Sequence, residues 1–352
     1  MNRRGFLRAA GALPASLAFA QTAPRPVWRT FEVTTRIEVL KPSGATRVWT
    51  PAVLIADTPW QKTLANTYRC DSASARLLTT TADSMGVVAA EFPASSAPIL
   101  TVVSRVATRD RFMGDAPASP DGLDHWLRPT KLLPLDGIVR QRALQITAAA
   151  PTSMDKARAV YEWIVENTSR NPNVRGCGLG NIRFVLESGD LSGKCADINA
   201  LYVGLARTAG LPARDVYGIR IAPSQLGDKS LGPSSDNVSK AQHCRAEVYV
   251  QGLGWIAVDA ADVRKVMLEE PAGNRPPDDE MVLAARQRLF GSWEGNWMAW
   301  NFAHDVALPG SSREPLGYLM YPQAETAEGR VDCLDPDNFR YEIAAREIPQ
   351  NV

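Results

Sequence analysis

The sequence predicts an α+β fold, on three observations. Between residues 27 and 110, short runs alternate apolar and polar residues and are separated by turn formers. Two later stretches carry apolar residues at helical spacing with clear start and stop signals. Strand patterns then return, and they continue to the C-terminal tail.

The elements follow in order. Phe31, Val33, Thr35, Ile37 and Val39 alternate with Glu32, Thr34, Arg36 and Glu38, the period of a half-buried strand. Lys41-Pro42-Ser43-Gly44 turns the chain, and Arg47-Val48-Trp49 opens a second strand. Residues 75–81 and 86–92 read as a pair, and 99–106 as a further strand. Several short strands at near-regular spacing predict a β-sandwich-like domain over 27–110. Residues 111–134 are rich in Pro, Asp and Gly and read as a linker. Helical spacing begins near Leu135. Thr152 and Asp155 have the spacing of a capping box, ahead of Ala157, Val160, Tyr161 and Ile164 on one face. The glycines of 176–180 form a turn cluster rather than a phosphate loop, because no strand leads into them. A second helix starts at Cys195 and carries Ile198, Leu201, Tyr202, Leu205 and Ala209 on one face. Gly210 caps it and Pro212 prevents its continuation. Strands follow at 215–221, 243–250 and 255–259. The polar loop 222–242 between the first two reads equally as a solvated connection or as a lid or cleft edge. Trp293, Trp297 and Trp300 have helical spacing and read as core before substrate platform. Residues 318–348 are strand-like. The expected layout is therefore 27–110, 111–134, a core over 135–268, and a C-terminal extension over 269–352 packing on that core.

Composition bounds the function. The chain has 352 residues, 45% of them hydrophobic and 22% charged, which excludes disorder. A net charge of +1 calls for no nucleic acid. The start, Asn2-Arg3-Arg4-Gly5-Phe6-Leu7-Arg8, runs into an Ala-rich apolar stretch ending Ala18-Phe19-Ala20. Residues 1–20 thus read as a twin-arginine signal peptide cleaved after Ala20, predicting a periplasmic or secreted protein with no stable membrane anchor. Five Cys is an odd number, so at least one thiol stays outside any internal disulfide. Pairing among Cys70, Cys177, Cys244 and Cys333 is open.

One thiol stands out. Cys195 opens a helix, where unsatisfied N–H groups and the helix dipole favour a thiolate. A thiolate nucleophile needs a histidine base, and the base needs an orienting carboxylate. His243 opens one strand and Asp259 closes the next. Both positions are odd, so regular pairing would put both side chains on one face. A turn centred on Leu253 would place Asp259 opposite Glu247. Only a turn centred on Gln251, or a bulge, is expected to bring His243 to Asp259. Cys177, Cys195 and Cys244 with His243 lack metal-ligand spacing, so no metal is expected. His304-Asp305 reads as structural.

Three blocks together resemble the transglutaminase-like superfamily. Gly193-Lys194-Cys195, followed by Arg207-Thr208-Ala209-Gly210-Leu211-Pro212-Ala213-Arg214, resembles its nucleophile helix. His243-Cys244-Arg245-Ala246-Glu247-Val248-Tyr249 is similar to its histidine strand, and Gly252-Leu253-Gly254-Trp255-Ile256-Ala257-Val258-Asp259 to its aspartate strand. The resemblance implies a papain-like core, a catalytic triad of Cys195, His243 and Asp259, and acyl transfer from an amide of a peptide or protein through a thioester. It implies no cofactor. Two departures from the family pattern stand beside the triad: Arg245 replaces a Trp, and Ala260-Ala261 replaces Pro-Thr. A protein-crosslinking transglutaminase and a non-catalytic binding module on the same fold are the alternatives.

Overall fold

The computed structural model describes residues 27–71, 74–115 and 121–349. The expected signal peptide lies outside these residues. The N-terminal strands are β1 (Arg29–Val39), β2 (Thr46–Pro51), β3 (Gln61–Cys70), β4 (Ser74–Thr80), β5 (Met85–Phe92) and β6 (Ile99–Thr108). Sequence reading misses β3, and its burial explains why. It is the edge strand beside β6, mostly exposed, and has no clean apolar face.

The helical part contains α1 (Gly137–Thr147), α2 (Ser153–Asn167), β7 (Ser169–Arg170), α3 (Ile182–Ser188), β8 (Ser192–Gly193) and α4 (Cys195–Thr208). The capping box on α2 forms as its spacing predicts. Thr152 Oγ1 accepts from the Asp155 N–H at 3.1 Å, and the Asp155 carboxylate accepts from the Thr152 N–H at 3.2 Å. Val160, Tyr161, Ile164, Ile198, Leu201, Tyr202 and Leu205 are all within 1% of full burial. These residues form one apolar core with the sheet beneath.

That sheet is built from β9 (Ala213–Arg220), β10 (Gln242–Val250), β11 (Gly254–Val258) and, later in the chain, β12 (Trp297–Asn301). Its order is β11-β10-β9-β12, antiparallel throughout. Helices α5 (Ala260–Glu269) and α6 (Glu280–Arg288) lie between β11 and β12. Trp297 and Trp300 sit on strand β12 and Trp293 just before it, so the expected helix is absent there. All three are nonetheless buried core.

The tail adds β13 (His304–Val306), β14 (Leu316–Tyr318), β15 (Gln323–Thr326), β16 (Gly329–Val331) and β17 (Phe339–Ile348). β17 pairs with β1 along ten residues, and β15 pairs with β2. The C-terminal strands therefore complete both N-terminal sheets, ordered β17-β1-β6-β3 and β16-β15-β2-β5-β4. Ile37, Leu100 and Phe339 from one sheet meet Val48, Val88 and Phe92 from the other in a shared apolar layer. Within 111–134, Arg111 is buried and Leu123–Leu127 forms a 3₁₀ turn that buries Trp126. Among the described residues, no helix is long and apolar enough to cross a membrane.

Candidate active site

A cleft of about 760 Å³ opens where the start of α4 meets the start of β10. Cys195 and His243 both line it. Cys195 is the first residue of α4, and Gly193 before it must be small. A Cβ there would stand 2.6 Å from Asp197 Cβ. Asp197 also clamps the glycine loop, accepting from the N–H groups of Leu179 and Gly180 at 3.0 Å each. Gly178 adopts φ +94°, and a side chain there would collide with the Asp197 carboxylate. The clamp brings Cys177 to the nucleophile helix, where its carbonyl accepts from the Ala196 N–H at 2.9 Å.

Three thiols meet at this point. Hydrogen bonds from Cys177 and Cys244 hold the Cys195 thiol well below its ordinary pKa, against the opposing effect of burial. His243 lowers it further through a hydrogen bond and its charge. The Cys195 hydrogen bond and burial push Cys177 well up, and burial with the same neighbour does so for Cys244. None of the five cysteines is in a disulfide.

His243 Nε2 lies 2.7 Å from Asp259 Oδ2. A carboxylate accepts, so Nε2 carries the proton. The contact is made in neither of the expected registers. β10 and β11 pair Ala246 with Val258 and Val250 with Gly254, about a turn centred on Gly252. Extending that ladder would put Asp259 opposite Arg245, with no bulge. Asp259 lies just beyond β11 and reaches His243 as a diagonal neighbour on the same face. The shared parity of the two positions is what survives of the sequence argument.

Asp259 is held from the other side too. It is the N-cap of α5, and its Oδ1 accepts from the Asp262 N–H at 3.1 Å. The same oxygen accepts from Asn199 Nδ2 at 3.1 Å. Arg245 Nε stands 3.4 Å from Oδ2. The Arg that departs from the family pattern is buried over Trp293 and Trp297, where burial lowers its pKa to about 10.

Sequence reading misses two contributors. Asn199 falls one helical turn after Cys195, on the same face of α4, and that spacing is a usable signal. Asp262 lies 3.3 Å from His243 Nε2 through its Oδ1, which also meets Arg220 at 2.5 Å. Its spacing from Asp259 matches that of Thr152 and Asp155, so a second cap was legible there. Burial would raise the Asp262 pKa, but Arg220, then His243 and Arg245, hold it far below the ordinary carboxylate value. For His243 the balance is the reverse. Burial and Arg220 lower its pKa, and Asp262 with Asp259 outweigh them to raise it above 6.5. His243, Asp259 and Asp262 are close enough together to hold a metal ion. Arg220 already meets Asp262 Oδ1, and His243 Nε2 already meets Asp259 Oδ2, so these charges are balanced by the protein's own cations.

His304 and Asp305 do not act together. His304 Nε2 meets Asp215 Oδ2 at 3.1 Å, and Asp305 accepts from the Lys131 N–H. The later part of loop 222–242 edges the cleft and is tied to β17. Its Val238 N–H donates to the Ile343 carbonyl at 2.8 Å, and Ser239 Oγ accepts from the Ile343 N–H at 2.8 Å.

Residues 140–260 match the model of the transglutaminase-like superfamily. The chain carries a transglutaminase-like domain. An uncharacterized protein of Haemophilus influenzae is 37% identical over 235 residues, which is 64% of this chain and 63% of that protein. The chain thus matches somewhat less than two thirds of that relative's length. The crystal structure of a candidate cysteine protease from Cytophaga hutchinsonii superposes at a TM-score of 0.51 with 16% identity, covering 91% of this chain and 98% of that one. At that identity the likeness is one of fold. The transglutaminase-like domain includes Cys195, His243 and Asp259, so all three site residues fall within the matched segment.

Proposed function

We propose that this chain is an exported thiol enzyme that cleaves or transfers amide bonds of a peptide or protein, with Cys195 as nucleophile, His243 as acid and base, and Asp259 as the residue that orients it. One observation carries the reading: Cys195 and His243 line the same cleft, and His243 Nε2 meets Asp259 Oδ2 at 2.7 Å. Charge balance supports it. Arg220, Arg245 and a protonated His243 face Asp259, Asp262 and a Cys195 thiolate. The resting state is then a thiolate–imidazolium pair. Export rests on the twin arginines and the Ala18-Phe19-Ala20 site.

The chemistry balances as follows. The Cys195 sulfur attacks the amide carbonyl carbon, and the oxyanion gains stability from the Cys195 N–H. The Ala196 N–H is already engaged by Cys177. As the C–N bond breaks, the proton of His243 Nδ1 passes to the leaving amine, and a thioester remains. Water, or an acceptor amine, then gives a proton to His243 as its oxygen or nitrogen attacks, and Cys195 leaves as thiolate.

Iodoacetamide labelling followed by peptide mapping tests this directly. Cys195 should react selectively at pH 6–7, with Cys177 and Cys244 protected by their raised pKa values. Absence of selective labelling, together with a Cys195→Ala variant of unaltered amidase activity, would overturn the reading. Ammonia release against amine incorporation on a Gln peptide separates hydrolysis from crosslinking.

A further inference from the structure

The cleft wall has a charge bias that the composition does not explain. Arg170, Arg175, Lys194, Arg220, Lys240 and Lys265 contribute to it, as does Arg340, and no Asp or Glu does. The whole chain is balanced, with 39 basic and 38 acidic residues. The bias is therefore one of placement.

Some of this charge is spent locally. Arg220 serves Asp262 at 2.5 Å, and Arg175 meets Asp332 at 2.7 Å. Arg340 stands across the β1–β17 ladder from Glu38. Arg170 and Lys265 share a single carboxylate, Glu269, at 2.8 and 3.6 Å. Lys194 and Lys240 have no carboxylate within ion-pair distance among the described residues. One immediately precedes the nucleophile and the other lies three residues before His243. The surplus positive charge therefore flanks the two reacting groups.

The edge that carries Lys240 is also preformed. The Ala345 N–H donates to the Asp236 carbonyl at 2.9 Å, and the Ala241 N–H to the Val238 carbonyl at 2.8 Å. Ser239 Oγ donates to Asn237 Oδ1 at 2.7 Å and Ser235 Oγ to the Asn237 carbonyl at 3.3 Å, so the hydroxyls of this rim mainly brace the loop. A braced rim that presents an ammonium group recognises carboxylates with less ordering cost.

We infer that the acyl donor is an acidic peptide, one that carries carboxylates on either side of the reacting amide. This rests on the thiol-enzyme reading above for the amide, and on the cleft wall alone for the acid. A concave basic wall concentrates and steers such a substrate, and salt weakens the effect.

Two fluorescent peptides test it, identical at the central amide and flanked by Glu in one and by Gln in the other. Binding is read by anisotropy on the Cys195→Ala protein, and as KM on the unmodified protein. The Glu peptide should bind about tenfold tighter at low salt, with the gap falling to under about threefold in 0.5 M NaCl. Lys240→Glu, at an exposed position, should close most of that gap without changing Tm. Equal binding of the two peptides, or a gap indifferent to Lys240→Glu, would overturn the inference. So would an oligothymidylate of equal charge that binds as tightly as the Glu peptide. Selective binding without turnover by the unmodified protein would sink the thiol-enzyme reading and leave the acidic ligand standing.

Discussion

Strand β10 carries two buried ion clusters four residues apart, and they are built differently. At Glu247 one carboxylate sits between two guanidinium groups. Its Oε1 accepts from Arg111, and its Oε2 accepts from Arg214 Nε at 2.5 Å. Arg214 is packed over Trp255 and Phe302, with ring centroids 4.1 and 3.9 Å away, and Arg111 over Trp293 at 4.6 Å. Burial would raise the Glu247 pKa, but Arg111 and Arg214 hold it below the usual value. At His243 the two acids, two arginines and one imidazole are equally buried, yet the cluster reaches the cleft through His243 and Arg220, and imidazole is the side chain whose ordinary pKa lies nearest neutrality. The difference teaches that burial and ion pairing alone do not mark a catalytic centre. A titratable member with access to a cavity does.

The sharpest way to break this comparison is Asp259→Asn. The amide would keep the shape but lose the charge that fixes the His243 tautomer. A loss in kcat on the order of 10³–10⁴ is expected, with the fold retained by circular dichroism. Turnover within threefold of the parent protein would show that the His243 cluster is as structural as its neighbour.

Glu247→Ala tests the other half. It strands two buried guanidinium groups, and the expected cost is about 3–5 kcal/mol of stability in urea unfolding. The kcat of the molecules that remain folded should be unchanged. The acid side adds a sign. Because the folded pKa of Glu247 is depressed, its contribution is fully present above the unfolded value of about 4.3 and is lost as pH falls through the folded value. The variant's stability should therefore vary less with pH below about 4 than the parent's. A fall in kcat without a fall in stability would erase the distinction between the clusters.

Much of the site was legible because its signals are local. The helix start at Cys195, the cap at Gly210 and the parity of His243 and Asp259 each depend on a few neighbouring residues. The α2 capping box and the strands of 27–110 other than β3 were legible for the same reason. What sequence could not supply is register between distant segments. The pairing of β17 with β1 joins residues more than 300 positions apart, and no local pattern encodes it. The hairpin turn shows the same limit on a smaller scale. Gly252 and Gly254 allow several centres, and the one adopted was neither of those considered. Arg220 and Asp262 converge on His243 from a strand and a helix, so their partnership appears only once the sheet is assembled.

The smallest expected effect probes that partnership. Asp262 lies against His243 but does not orient it, so Asp262→Asn should leave kcat at the optimum within a few fold. What should change is the pH profile. The imidazolium form of His243 is needed to protonate the leaving amine, so its pKa sets the alkaline limb. Asp262 is the larger of the two charges that raise that pKa, and Arg220 acts against it. Removing the carboxylate leaves Arg220 opposed by Asp259 alone, and the alkaline limb should move to lower pH. Stability should follow the same sign. A raised histidine pKa contributes fully below the unfolded value of about 6.5 and is lost as pH rises through the folded value. The parent protein should therefore lose stability across that window, and the variant should lose less. An alkaline limb that stays in place, with kcat intact, would mean that Asp262 only caps Arg220. The His243 cluster would then reduce to a triad beside a separate buried ion pair, much like the one at Glu247.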